Sequence, residues 1–197
     1  VGANDHPLSV GGYTDATGAK PVIATLWRQE RWPFFFLPDG GPDGVKDAED
    51  KLKRGNGVFR LIRPYTVGKG TVFGGVGYVA IGEKAGYLLD ATEEDLTAFE
   101  KARRAADERV TSLAMHIKDG RPVYTVVGGS FPNKAEWRTA RGLTAAQFQE
   151  AIATQVKDGY HPASVTACPW DGAVRYCVVW VKEPPKMPDA KKDEPKK

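Results

Sequence analysis

Apolar and polar positions alternate in paired runs along the chain, and a turn joins each pair. Ser112–Val127 reads SLAMHIKDGRPVYTVV, and Ser164–Val179 reads SVTACPWDGAVRYCVV. In both, an alternating run meets Asp-Gly and then a β-branched and aromatic run, which predicts a β-hairpin. Asp-Gly suits the turn because a left-handed backbone costs glycine nothing and aspartate little. The two stretches lie 52 residues apart without a gap, so a repeat is expected. At the N-terminus, His6-Pro7-Leu8-Ser9-Val10 matches His161-Pro162-Ala163-Ser164-Val165, and Val22–Trp27 matches Arg175–Trp180. A glycine-rich fourth copy fits Val58–Val79. The predicted hairpins fall near 8–27, 58–79, 110–127 and 162–181, with first strands starting near residues 8, 59, 111 and 163.

Helical periods lie between the hairpins. Thr144-Ala145-Ala146-Gln147 is a capping box, and Phe148, Ile152 and Val156 follow at fourfold spacing, predicting a helix over 145–157 that Gly159 stops. Thr92 opens a second helix over 93–107, with Leu96, Phe99 and Ala106 inward and acids in its first turn, where the helix dipole favours them. A third spans 44–54 with Val45, Ala48 and Leu52 inward. Neither a lone hairpin nor a helix of ~12 residues is stable alone, so neighbouring units must share a core. The predicted class is α+β: four pseudo-repeats of about 52 residues, hairpins alternating with three helices. Their antiparallel sheet forms an arc or a closed ring, with the helices on one face. Residues 1–182 form one tandem-repeat domain.

Composition refines this picture. From Glu183 the chain reads EPPKMPDAKKDEPKK, a Lys/Pro-rich stretch with too little apolar surface to offset its ordering entropy. Residues 183–197 are expected to be a disordered tail, either a solvated extension or an electrostatic contact for an acidic partner. Net charge is +3, and the tail's five lysines against four acids account for one of those charges. No concentrated basic face remains, which argues against nucleic acid. No run of about 18 apolar residues exists, so no membrane insertion is expected. The chain opens on Val1, which fits a processed product or a segment of a longer protein. The sequence carries no mark of compartment.

A more specific signal lies near the C-terminus. Glu136-Trp137-Arg138-Thr139-Ala140-Arg141-Gly142-Leu143-Thr144 leads into Gly159-Tyr160-His161-Pro162, then Ser164-Val165, Asp171-Gly172, Arg175-Tyr176 and Val179-Trp180. This run resembles the bacterial tandem-repeat module, which recurs in planctomycete and other bacterial proteins and is similar to the N-terminal domain of polyglycine hydrolases. The pattern is W-x-A-R-x-G-L-T, helix, G-Y-R-P, strand, D-G, R-Y and a strand ending in Trp; His161 stands in place of the usual Arg. The likeness covers residues 5–182 and is strong only after Trp137. It implies a non-catalytic module, often attached to a serine hydrolase or a protein kinase.

The candidate chemistry is sparse. Among Ser9, Ser112, Ser130 and Ser164, none heads a Ser-x-x-Lys or sits in G-x-S-x-G, and no kinase signature occurs. The pairs Gly11-Gly12, Gly40-Gly41, Gly74-Gly75 and Gly128-Gly129 read as close packing rather than a phosphate loop. His6, His116 and His161 would need to converge to hold a metal; structural histidines are the default, and no cofactor is implied. Cys168 and Cys177, on opposite strands of the last hairpin, could form a cross-strand disulfide or remain buried thiols.

The reading is therefore a non-enzymatic repeat module for binding or positioning, covalently linked to another domain of a larger bacterial protein, with a protein or peptide partner. The alternative is an accessory domain that helps a serine hydrolase hold a peptide. An independent enzyme with an unfamiliar site is the third reading, disfavoured because no nucleophile–base pair can be assembled. Candidate contact residues are Trp170 at a hairpin tip, and Trp32, Phe34 and Phe35 in the longest linker, which could instead cap the array.

Overall fold

Asp119-Gly120 and Asp171-Gly172 turn the chain with positive φ at all four residues (51°, 73°, 51° and 69°). That is the geometry a two-residue hairpin with the right-handed twist of its strands requires. The computed structural model describes residues 5–14, 21–29, 34–67, 70–130 and 135–182, the first two stretches as backbone course and strand pairing. The predicted tail at 183–197, Trp32 and the turn at 15–20 lie outside the described residues.

In chain order the elements are β1 (Asp5–Thr14), β2 (Pro21–Gln29), β3 (Phe34–Leu37), α1 (Pro42–Arg54), β4 (Gly57–Val67) and β5 (Gly70–Val79). Then come β6 (Ala85–Ala91), α2 (Glu93–Ala105), β7 (Arg109–Lys118) and β8 (Arg121–Gly129). Last are β9 (Glu136–Leu143), α3 (Ala145–Lys157), β10 (His161–Trp170) and β11 (Ala173–Lys182). The class is α+β. Both Thr92 and Thr144 close capping boxes, with Asp95 and Gln147 reaching back to the cap backbone. Each helix ends on a left-handed residue at Asn56, Asp107 or Gly159, the position that favours Asn, Asp and Gly.

The expectation of one antiparallel sheet, in an arc or a closed ring, needs correcting. The described strands form three three-stranded sheets, ordered β3-β5-β4, β6-β8-β7 and β9-β11-β10, beside the β1–β2 pair. The third strand of each sheet is a short segment preceding its helix, so each sheet belongs to a unit of strand, helix and hairpin; the β1–β2 pair is the first unit, and the three sheets with their helices are the second, third and fourth. Phe34–Leu37, expected to lie in the longest linker, instead pairs with β5. Between the sheets, side-chain hydroxyls donate to strand carbonyls of the preceding sheet. Thr111 Oγ1 donates to Arg60 O at 2.7 Å, Thr166 Oγ1 to Leu113 O at 3.0 Å, and Ser112 Oγ to Ile62 O.

The register repeats as well. Each first strand carries a bulge, skipping Leu8, Arg60, Thr111 and Ala163 respectively. Each unit also steps onto the next in the same way: β1 packs on β3, β4 and β5; β4 on β6, β7 and β8; β7 on β9, β10 and β11. Among the described residues no comparable contact returns from β10–β11 to β1–β2.

The helices do not share one face of a common sheet, as the sequence suggested. Each of the first two is held between its own sheet and the next. Val45, Ala48 and Leu52 of α1 join Phe59, Ile62 and Phe73 beneath it, and Val127, Tyr87 and Leu89 of the following sheet. Leu96 of α2 joins Leu113, Met115, Tyr124 and Val126, and then Cys168, Cys177, Val179 and Val181. Helix α3 has only its own sheet, in a separate cluster of Tyr160, Val178 and Trp180 with Phe148, Ala151 and Ile152. Its expected apolar stripe is only half covered, and Val156 is exposed.

Candidate functional site

The polar side chains with chemical potential collect at the joints between units. At the joint of the third and fourth units, Arg141 of β9 reaches back to α2, with Nε 2.6 Å from Glu93 Oε1 and Nη1 3.3 Å from Glu100 Oε1. Thr139 Oγ1 donates to the same Glu100 at 2.6 Å. The Arg104 guanidinium lies 3.7 Å from the Trp137 ring centroid, and the indole Nε1 donates to Glu108 O. This is a charge-assisted cluster with a cation–π contact, arranged to hold a helix against a strand. Within it the Arg141 guanidinium keeps the Glu93 carboxyl below its usual range.

At the joint of the second and third units, Tyr87 Oη of β6 donates to Glu49 of α1 at 3.3 Å, and Arg60 pairs with Glu83 at 2.8 Å. The Phe73 and His116 rings meet edge to face across the same joint. His116 Nε2 lies 2.7 Å from Asp90 Oδ1, and Lys118 Nζ is 2.6 Å from the other oxygen. Asp90 holds φ at +53°, where it turns β6 toward the helix cap; Gly142 takes the same place in β9 at +66°. Burial pulls the His116 pKa down, against the pull of Asp90. An imidazole held by a carboxylate supplies two of the three members of a catalytic triad. Here the other nitrogen, Nδ1, is buried without a hydrogen-bond partner, so no hydroxyl or thiol among the described residues is bonded to it as the third member.

Among the described residues, Arg63 is the most deeply buried arginine or lysine. Its Nη1 donates to Leu113 O and its Nη2 to Ser164 Oγ, both at 3.0 Å, so one guanidinium bridges three units. Burial lowers its pKa to about 10. Sequence reasoning missed this residue. A lone arginine inside an alternating strand carries no local sign of being turned inward.

The serines of described side chains are similarly engaged. Ser112 and Ser164 are buried in these joints, and Ser130 Oγ accepts from Lys84 N at 2.7 Å. Cys168 and Cys177 are free, buried thiols. They are not directly opposite, since Cys168 pairs with Arg175 and Cys177 with Thr166. Burial raises both thiol pKa values, that of Cys177 to about 11, which makes them inert rather than nucleophilic. His116 lies in β7, and an exposed His161 opens β10. The glycine pair 128-129 is where backbones meet: a Cβ on Gly129 would overlap Lys84 O, and one on Gly128 would come 2.8 Å from Arg109 O.

The candidate contact residues disperse. Trp170 is half-buried against the core of the third and fourth units, with the Arg175 guanidinium 5.8 Å from its ring centroid. It lines an open hollow of about 340 Å³ at the hairpin tip with Pro169, Asp171, Gly172, Ala173 and Val174. Phe35 packs on the α1 cluster, whereas Phe34 is exposed at the outer strand of its sheet. No helix among the described residues is long and apolar enough to cross a membrane.

A family model described as "Polyglycine hydrolase-like, structural repeat" matches residues 134–183. That span takes in the fourth unit, from β9 through α3 to β11. A search of curated proteins finds no match. The fourth unit is thus similar to the structural repeat of polyglycine hydrolase-like proteins, as its Trp137–Thr144 run implied.

Proposed function

We propose that the chain is a non-catalytic module of four pseudo-repeats that binds or positions a protein or peptide partner within a larger protein. The carrying observation is where its reactive side chains are engaged. Arg63, Ser112, Ser164, Arg141 and Glu100 are occupied in joining units. The bulges at 8, 60, 111 and 163, at intervals of 52, 51 and 52 residues, support a fourfold ancestry. Units that bury their faces against neighbours make a stacked scaffold. Incubation with a fluorophosphonate probe and intact-mass analysis tests this reading. The mass is expected to stay unchanged; one adduct per chain would overturn it.

A second reading rests on the name of the matched family, polyglycine hydrolase-like. On it, the module is the accessory domain of a serine hydrolase and helps hold a glycine-rich peptide. Calorimetric titration with such a peptide distinguishes the two: heat of binding favours the accessory role.

A further inference from the structure

Ile62, Leu113 and Val165 occupy one register position, each two residues beyond the bulge of its first strand. Ile62 and Leu113 are fully buried at 0% exposure, whereas Val165 is 43% exposed. Met115 is buried, whereas Ala167 at the equivalent place is exposed. Pro169 and its cross-strand partner Val174 extend the open strip.

The difference has one source. In the second and third units the helix-bearing face of the sheet is covered by the opposite face of the next unit, through Val127 and Tyr87 in one case and Cys177, Val179 and Val181 in the other. Helix α1 buries Val45, Ala48 and Leu52, and α2 buries Leu96, but α3 buries no residue fully. The unit-to-unit step that occurs three times has no successor at β10 among the described residues.

We infer that this open face, centred on Val165, Ala167 and Val174, docks the β1–β2 hairpin of a second copy of the chain, so that copies associate head to tail. The occupant is identified by continuity with the joints already present. The two covering units just described each bring a bulged hairpin with a serine just after the bulge and valine opposite, Ser112 with Val127 and Ser164 with Val179. β1–β2 has this register: Ser9 and Leu26 stand where Ser164 and Val179 stand in the fourth unit, and Ala24 stands where Cys177 does. Among the described residues no unit precedes β1–β2 to take up that role. Among the described residues, β10 thus presents a face with no covering hairpin and β1–β2 is a hairpin that covers no face, the complementarity of a heterologous contact. The inference rests on the repeat reading above.

Sedimentation velocity over a concentration series tests it. The 197-residue chain is expected to shift from monomer to larger species as concentration rises. Val165→Asp and, separately, Ala167→Asp place a carboxylate on the apolar strip, where its desolvation opposes docking, and should weaken association by about ten-fold or more. Ile81→Asp, at an exposed apolar residue outside the strip, should associate like the parent. Circular dichroism confirms that each variant is folded; if one is not, the other carries the test. A parent chain that stays monomeric throughout, or aspartate variants that associate like it, would overturn the inference. A monomeric chain that takes up no fluorophosphonate would defeat head-to-tail docking while leaving the module reading intact; a labelled chain that still associates would do the reverse.

Discussion

The third and fourth units run through the same elements in the same register and bury their helices differently. In the third, Phe99 of α2 sits over Gly128, whose absent side chain would lie 3.2 Å from the ring. In the fourth, Ala151 stands 52 positions after Phe99 and Trp180 stands 52 after Gly128. Helix and strand have exchanged large for small, and a packed interior tolerates such a swap when the total volume is kept. The exchange alters what each unit needs from its successor. The third is completed by Val179, Val181 and Trp137 of the next sheet. The fourth fills the space beneath α3 with its own tryptophan and leaves the strip along β10 open. Equivalent sequence positions thus have unequal energetic weight, and neighbours rather than local pattern set that weight.

The largest effect expected from this difference is at the tryptophans. Trp180 is 1% exposed at the centre of the α3 cluster, so Trp180→Ala should cost ~3–5 kcal/mol, as for other buried aromatics cut to alanine. Trp170 keeps part of its ring in water at the hairpin tip, and Trp170→Ala forfeits less transfer energy. Denaturant midpoints of the two variants decide it. If Trp170→Ala were the more damaging, the division between strand interior and tip would be wrong.

A second pair tests the covering directly. Leu113→Ala removes a fully buried side chain packed between α2 and the fourth unit, and should cost ~2–5 kcal/mol. Val165→Ala, at the same register position with nothing over it, should cost less than ~1 kcal/mol. Urea melts of dilute monomer give both values. Equal losses would mean that β10 is covered within its own chain.

Much of this contrast was legible in sequence at short range. The Asp-Gly turns, the Thr144–Gln147 capping box and the helix over 145–157 depend on residues within a few positions of one another, and all took the expected form. The third strands did not show. Phe34–Leu37 is only four residues long, Ala85–Ala91 has a continuous rather than alternating apolar run, and Glu136–Leu143 reads as polar because Arg138, Thr139 and Arg141 face helices instead of a core. Their pairing with the second strand of each hairpin is non-local, with Trp137 opposite Val181. Nor could pattern alone reveal that Arg63 points inward, since its acceptors, Leu113 O and Ser164 Oγ, lie 50 and 101 residues away. The array's open end is likewise invisible, because Val165 differs from Leu113 by its neighbours and hardly by its chemistry.

The smallest expected effect separates the two units at their helix caps. Thr92 and Thr144 make the same hydrogen bonds, at 3.2 Å to the third residue's N–H, so an alanine at either should cost ~1 kcal/mol. The two losses should nevertheless spread differently through the helices. Helix α2 is clamped beyond its cap by Arg141 on Glu93 and Glu100 and by Arg104 on Trp137. Loss of Thr92 should therefore appear as a modest drop in global stability with little local opening. Helix α3 has no following unit among the described residues; Arg138 reaches its far end, Gln155 and the adjacent Asp158, and leaves the first turn to the cap. Thr144→Ala should then let residues 145–150 fray, so their amide exchange quickens well before global unfolding. Hydrogen exchange read residue by residue separates the cases. Fraying in α2 after Thr92→Ala as extensive as in α3 after Thr144→Ala would show that the clamp from the next unit contributes nothing.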